Sequence, residues 1–373
     1  MRKTVKSIIR KLPYIGKIMA DRDQLSLALE GEQSKNADLV AEMDKITAEL
    51  KSMSAQCASF VPPGHFYSPI PSLSEVKKYE DRIFGRTPRS IDGIDLREGE
   101  QVRLFEQFKT YYKEMPYSPI DAIFNEVEAF KSRYYEATDQ IERETIKQDA
   151  IKKFDMLILE NKTGPLRYLL ENPSYGYTDG IILYSMIRSI NPRRVIEVGS
   201  GYSTCLLLDT NEIFFNGSID CTCVEPYPDF MLSLIKESDK NQIHLIEEKL
   251  QDVDLEVFSA LEPGDILFID SSHVCKVNSD VNYLFFEILP HLNSGVYIHF
   301  HDIFYPFEYP KEWIFEGRAW NESYLLRGFL SYNISFRIIF FTSFMQCFHK
   351  NLLESEMPLL MRDKGGSIWV QKQ

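Results

Sequence analysis

The sequence predicts an α/β fold, a doubly wound and mostly parallel sheet occupying the C-terminal half. Two observations carry this. From about residue 178 short β-branched and aromatic runs alternate with helical patterns, the arrangement that winds helices over both faces of a parallel sheet. The run Val195-Ile196-Glu197-Val198 ends in Gly199-Ser200-Gly201, a strand closing on a glycine turn that opens a helix.

The elements follow in order. Asp179–Ile190 reads as an apolar helix, then come Arg194–Val198 (strand), Ser203–Thr210 (helix), Ile219–Val224 (strand) and Asp229–Lys236 (helix). Ile243–Ile246 is a strand, Leu255–Leu261 a short helix, Asp265–Ile269 a strand, Ser279–Leu292 a helix and Val296–Phe300 a strand. Trp320–Leu330 reads as a helix, and strands at Arg337–Phe341 and Ser367–Val370 close the chain as an antiparallel pair.

Ahead of this core the pattern differs. Residues 1–20 form a basic amphipathic arm: Arg2, Lys3, Lys6, Arg10, Lys11 and Lys17 precede the first acid, Asp21. Such an arm suits peripheral contact with an anionic membrane surface, or is a solvated tail. Residues 21–56 read as a coiled coil. Leu25, Leu29, Glu32, Asn36, Leu39, Met43, Ile46, Leu50 and Met53 follow alternating steps of four and three, the seam of a homo-oligomer; a single amphipathic helix packed on its own body is the alternative. Residues 57–175 read as an ordered connector and helical cap, with helices at 98–113, 119–136 and 142–170. The catalytic domain is expected over 176–373.

Composition bounds the partners. With 42 basic against 55 acidic residues the net charge is −13, and the basic arm makes the remainder more acidic still. An acidic body repels nucleic-acid phosphates, so no nucleic-acid partner is expected. No apolar run is long enough to cross a bilayer, and residues 1–20 are not expected to act as a signal peptide, because Arg10, Lys11, Pro13 and Lys17 interrupt their apolar positions. Six cysteines in 373 residues read as buried thiols in a reducing compartment, so a cytoplasmic location is expected. Cys221 and Cys223 share a strand face.

The glycine turn is the most informative segment. Dinucleotide sites use G-x-G-x-x-G, and here Thr204 stands where the third glycine belongs. That argues against an NAD-dependent oxidoreductase, which is kept as one alternative. The acidic residue before the turn, Glu197, suits a cationic ligand such as an α-amino group or a sulfonium. Glu225, ending the second strand, is placed to accept both hydroxyls of a ribose. Asp252, with Gln251, is placed to meet an adenine amino group. Asp270-Ser271-Ser272-His273 follows the fourth strand and His299-Phe300-His301-Asp302 ends the fifth. Both strand ends face the crevice of a doubly wound sheet.

This series resembles the class I S-adenosylmethionine-dependent methyltransferases over about residues 175–373. The resemblance implies a Rossmann-like, seven-stranded methyltransferase sheet. It implies S-adenosyl-L-methionine bound by Glu197, Gly199, Gly201, Tyr202, Ser203, Glu225, Asp252 and Asp270. The chemical end is similar to metal-assisted O-methyltransferases of catechols and sugar hydroxyls. By that likeness Asp270, His301 and Asp302 form a site for Mg²⁺ or Mn²⁺, and His273 occupies the position of the base. His301 departs from the pattern, where an acid or amide is usual. A metal-free enzyme using His273 or His301 as general base therefore stands beside the metal-assisted one. His299 reads as a core histidine.

On the substrate side Ile303–Arg318 holds Tyr305, Phe307, Tyr309 and Trp313. It is expected as a lid over a small-molecule or glycan hydroxyl acceptor, with Trp320, Asn321 and Tyr324 on the far side; packing against the cap helices is the alternative. Asn172–Tyr177 is expected to close over the cofactor. A non-catalytic scaffold that tethers partners through the coiled coil is the other alternative, and absence of cofactor binding would mark it.

Overall fold

The structure is a computed structural model. It describes residues 60–137, 140–161 and 164–373, and before them only 17, 20–22, 24, 25 and 43. The basic arm and the heptad seam therefore lie almost wholly outside the described residues. The chain divides into two units, Met1–Pro69 and Ile70–Gln373. In the first, Pro62-Pro63-Gly64 forms a turn closed by the His65 N–H on the Pro62 carbonyl at 3.2 Å. Phe66 and Tyr67 are exposed. Among the described residues no helix is long and apolar enough to cross a membrane.

The second unit is built on one seven-stranded sheet in the order β3-β2-β1-β4-β5-β7-β6. The strands are β1 (Arg194–Val198), β2 (Asp220–Val224), β3 (Ile243–Ile246), β4 (Ile266–Ile269), β5 (Tyr297–His301), β6 (Phe336–Phe341) and β7 (Ser367–Lys372). Strands β1 to β5 are parallel. Strand β7 inserts antiparallel between β5 and β6, the closing pair that the sequence predicts. All four residues of β4 are buried, as expected of a central parallel strand covered on both faces. The order reverses beside β1, whose neighbours are β2 and β4, and a crevice opens at such a switch point.

The helix Tyr177–Ile190 buries every residue from Tyr177 to Ile187. The helix Glu98–Lys113 sets Phe105 and Phe108 into the same core, with Phe108 5.3 Å from the Phe340 ring. Two further helices, Asp121–Glu136 and Gln140–Asn161, share a separate small cluster of Ile123, Val127, Ala150, Phe154 and Leu169.

Two helical expectations are corrected. The pattern over 142–170 stops at Asn161. Gly164-Pro165 interrupts it, and the Arg167 backbone N–H donates to Asp209 (2.9 and 3.0 Å) rather than to a helical carbonyl. The Arg167 guanidinium then spans buried Asp209 and Asp239 at 2.9 and 2.5 Å. Ser279–Leu292 is not one regular helix either. Short turns Asp280–Tyr283 and Leu289–His291 flank a π-helical turn at Leu284–Ile288.

Candidate active site

The turn after β1 is shaped by close backbone approach. Gly199 has φ +80°, and a Cβ there would stand 1.7 Å from the Asp270 carbonyl oxygen. Only glycine fits a positive φ against another backbone. The Asp270 N–H donates to Val198 at 2.9 Å, so the ends of β1 and β4 touch. Gly201 is extended and opens the helix Tyr202–Phe215, its N–H donating to Thr204 Oγ1 at 3.0 Å.

Glu197 does not face open solvent. It is 2% exposed and accepts from Ser203 Oγ at 2.6 Å and Thr204 Oγ1 at 2.5 Å. Burial pushes its carboxyl up to about 7 against those two hydroxyl bonds. Ser203 is thereby committed to Glu197. Glu225 accepts the Ser200 N–H at 3.2 Å and the Tyr227 N–H at 2.9 Å, which sets its carboxylate against the glycine turn. Tyr202 packs edge-on against Phe230, ring centres 5.7 Å apart. Asp252 is exposed in a short 3₁₀ turn, and its side chain has no hydrogen-bond or ion-pair partner among the described residues.

The ends of β4 and β5 converge as the sequence expects. His273 Nε2 lies 3.4 Å from Asp270 Oδ1 and 3.5 Å from Asp302 Oδ2. His301 Nε2 lies 3.3 Å from Asp302 Oδ1. Asp270, His301 and Asp302 each offer one donor atom, all within 4.8 Å of one another. That span suits a single cation shared by two carboxylates and an imidazole. His301 Nδ1 is buried without a hydrogen-bond partner among the described residues. His273 and Asp302 both have left-handed backbones, φ +58° and +56°, conformations that cluster where side chains are held for function.

The charges are strongly coupled. Burial would lower His273, but the hydrogen bonds to Asp270 and Glu322 and the charge of Asp302 raise it well above its ordinary value. Burial likewise opposes the His301 cation, and Asp302 and Asp270 outweigh it. His299 is different. Buried and stacked on Phe268 at 4.2 Å, it is held well below its ordinary value by burial, a neutral core histidine as expected.

Glu322 is the residue that sequence reasoning missed. It opens the helix Glu322–Leu330 and accepts from His273 Nδ1 at 2.9 Å. The Asn321 and Glu322 N–H groups both donate to the His273 carbonyl, at 3.1 and 3.2 Å. Trp320 lies against the imidazole, ring centres 4.4 Å apart. No local motif announces Glu322, because its partner lies far upstream in the chain.

Most of the expected lid is packed rather than free. Tyr305, Phe307 and Tyr309 are buried, with Tyr305 5.1 Å from the Phe344 ring. The Tyr309 hydroxyl accepts the Ser323 N–H at 3.0 Å. Trp313 and Arg318 remain on the wall of a cleft of about 920 Å³. It is lined by Asp270, His273, His301 and Asp302 and by cap-helix residues such as Val127, Phe130 and Phe154. Of the Asn172–Tyr177 segment, Pro173 and Ser174 line this cleft, while Tyr175 is buried against His301 at 4.9 Å.

The strand order and the glycine turn together define a class I methyltransferase-type α/β domain. A family profile described as "Methyltransferase domain" matches residues 196–303. An uncharacterized protein of Archaeoglobus fulgidus is 30% identical over 217 residues, covering 58% of this chain and 80% of that protein. Over residues 196–303 the chain thus carries a methyltransferase domain. Among solved structures, the SAH-bound Podospora anserina methyltransferase PaMTH1 is 14% identical with a TM-score of 0.36, over 76% of this chain and 99% of that one. The O-methyltransferase TomG of Streptomyces achromogenes, in complex with SAM, is 12% identical with a TM-score of 0.35, over 74% and 99%.

Proposed function

We propose that this chain is an S-adenosylmethionine-dependent O-methyltransferase in which His273 is the general base. The single observation that carries the reading is the placement of His273: Nε2 faces Asp270 and Asp302, and Nδ1 is anchored on Glu322. This cluster sits at the end of β4, whose Asp270 backbone closes on Gly199.

The reaction needs orientation and a proton acceptor more than it needs electrophilic activation, since a sulfonium carries its own leaving group. The acceptor hydroxyl oxygen attacks the sulfonium methyl carbon. The carbon–sulfur bond breaks, the thioether leaves, and the hydroxyl proton passes to Nε2 of His273 in its neutral form, the form that a cation on Asp270 and Asp302 would favour. Gly199 and Gly201 admit the cofactor backbone, and Glu225 offers its carboxylate to the ribose. Asp252 is assigned to the adenine edge, and Glu197 acts through Ser203 and Thr204 by holding the turn. A divalent cation on Asp270, His301 and Asp302, Mg²⁺ or Mn²⁺, would supply charge to acidify the acceptor hydroxyl. It would also offset Asp270 and Asp302, two of the three carboxylates that raise His273. The hydroxyl belongs to a sugar or another small molecule.

Calorimetry with S-adenosylmethionine and its demethylated product tests the cofactor. Methyl-label transfer to a panel of sugars and catechols tests the chemistry. His273→Ala is expected to lower turnover by roughly 10²–10⁴-fold while leaving cofactor affinity within about twofold. Full activity in that variant removes His273 from the role of base, and an absence of cofactor heat removes the enzyme reading itself.

A further inference from the structure

Arg318 ends a stack that begins at the proposed base. The Trp320 ring lies 4.4 Å from the His273 imidazole, and the Arg318 guanidinium carbon lies 4.9 Å from Trp320. The guanidinium is thus no farther from the imidazole than those two steps laid end to end. The same guanidinium carbon lies 4.3 Å from Trp313, whose ring is 5.4 Å from that of Trp320. Its Nε donates to Glu316 Oε2 at 2.7 Å, which holds the guanidinium in one orientation. The ion pair with Glu316 engages the Nε edge, and neither Nη makes a hydrogen bond among the described residues. A guanidinium edge held this way is a preorganised fork for a carboxylate or phosphate.

The surroundings agree. Arg318 lines the same cleft as Asp270, His273 and Asp302. Lys147 and Lys364 line it too, and neither has a carboxylate partner among the described residues. The chemical end carries Asp270 and Asp302, while the rest of the lining mixes the cations Arg318, Lys131, Lys147 and Lys364 with Glu312, Glu316 and Asp363, Glu316 being already committed to the Arg318 Nε edge. An anion is repelled from Asp270 and Asp302 and drawn to Arg318, so the polarity orients an acceptor as well as binding it.

We propose that the acceptor is an anionic hydroxyl compound, a ring or sugar bearing a carboxylate or phosphate. The Arg318 Nη pair takes the anion while the hydroxyl faces His273. This rests on the methyltransferase reading above.

The test uses the full chain loaded with S-adenosylhomocysteine, whose own binding is measured first by calorimetry. Catechol is then compared with its ring carboxylate protocatechuate, and glucose with its phosphate monoester. The anionic member of at least one pair is expected to bind about tenfold tighter or more. Which pair shows the preference distinguishes carboxylate from phosphate. R318M is expected to abolish the preference and leave S-adenosylhomocysteine affinity unchanged. R318K keeps the charge but not the fork, and is expected to lower the preference even where R318M fails to fold. Equal binding within both pairs overturns the proposal. So does failure of every anionic probe to bind at millimolar concentration, or a preference that survives both variants. If S-adenosylhomocysteine itself does not bind, the methyltransferase reading fails, and this proposal falls with it.

Discussion

His273 Nδ1 donates to Glu322 Oε2 at 2.9 Å, and that carboxylate is 1% exposed. The bond keeps a proton on Nδ1 and turns Nε2 toward Asp270 and Asp302. Asn321 strengthens the hold, accepting the Cys275 N–H at 2.6 Å and donating to the Cys275 carbonyl at 3.1 Å. The His273 loop is therefore set by the start of the helix Glu322–Leu330, not by its own sequence.

Glu322→Ala is expected to reduce turnover by roughly 10–100-fold, the usual cost of losing an orienting carboxylate. Cofactor affinity should not change, because Glu322 touches nothing at the glycine turn. Glu322→Gln should recover part of the loss, since an amide oxygen also accepts the Nδ1–H. The histidine ¹⁵N spectrum supplies an independent readout: the His273 Nδ1 resonance should shift in Glu322→Ala and return toward wild type in Glu322→Gln. A variant with wild-type turnover and an unmoved resonance would falsify the orienting role.

Glu197 makes a pH prediction with a definite sign. Burial raises its folded-state carboxyl to about 7, against roughly 4.3 in an unfolded chain. Between those values the folded state holds the proton more firmly than the unfolded state does. Its contribution to stability is thus fully present below about pH 4.3 and is lost as pH rises through about 7. The full change is on the order of 3 kcal/mol. Urea unfolding of wild type and Glu197→Gln at mildly acidic and mildly alkaline pH measures it. The wild type should lose stability relative to the variant as pH rises, and parallel profiles would show that Glu197 is not the group responsible.

Legibility followed sequence distance. Each strand was readable because a buried parallel strand is a short apolar run between turns, as Ile266-Leu267-Phe268-Ile269 shows. The antiparallel β7 was readable because no full crossover helix separates it from β6. The glycine turn and the residues ending β4 and β5 were readable because topology alone brings strand ends together. Asp270, His273, His301 and Asp302 follow from that rule. Glu322 does not, because its link to His273 depends on how the 303–322 segment folds back, through contacts such as Tyr309 with Ser323. The aromatics of that segment misled for the same reason: composition does not distinguish a lid from a packed strap, and Tyr305 sits among Phe341, Phe344 and Phe348. Glu197 shows the opposite limit. Its position was legible, but its commitment to Ser203 and Thr204 depends on the first turn of the next helix.

The metal question turns on three donor atoms that lie within 4.8 Å of one another. Burial raises Asp302, with His301 and His273 pulling the other way, so it bears an unfavourable charge that a cation would relieve. Mixed carboxylate and imidazole donors accommodate Mn²⁺ as well as Mg²⁺, and Mn²⁺ is visible by electron paramagnetic resonance. The wild type is expected to take up one Mn²⁺ per chain, and Asp302→Asn to weaken it by about tenfold or more, roughly 1.4 kcal/mol. His299→Phe, a core substitution beside the site, should leave Mn²⁺ affinity unchanged wherever the protein remains folded by circular dichroism. Chelation completes the test. If methyl transfer stops with chelator and returns with Mg²⁺ or Mn²⁺, Asp270, His301 and Asp302 hold a working cation. If transfer persists in chelator and Mn²⁺ binds the Asp302→Asn variant as tightly as wild type, the cluster serves only to set the charge of His273.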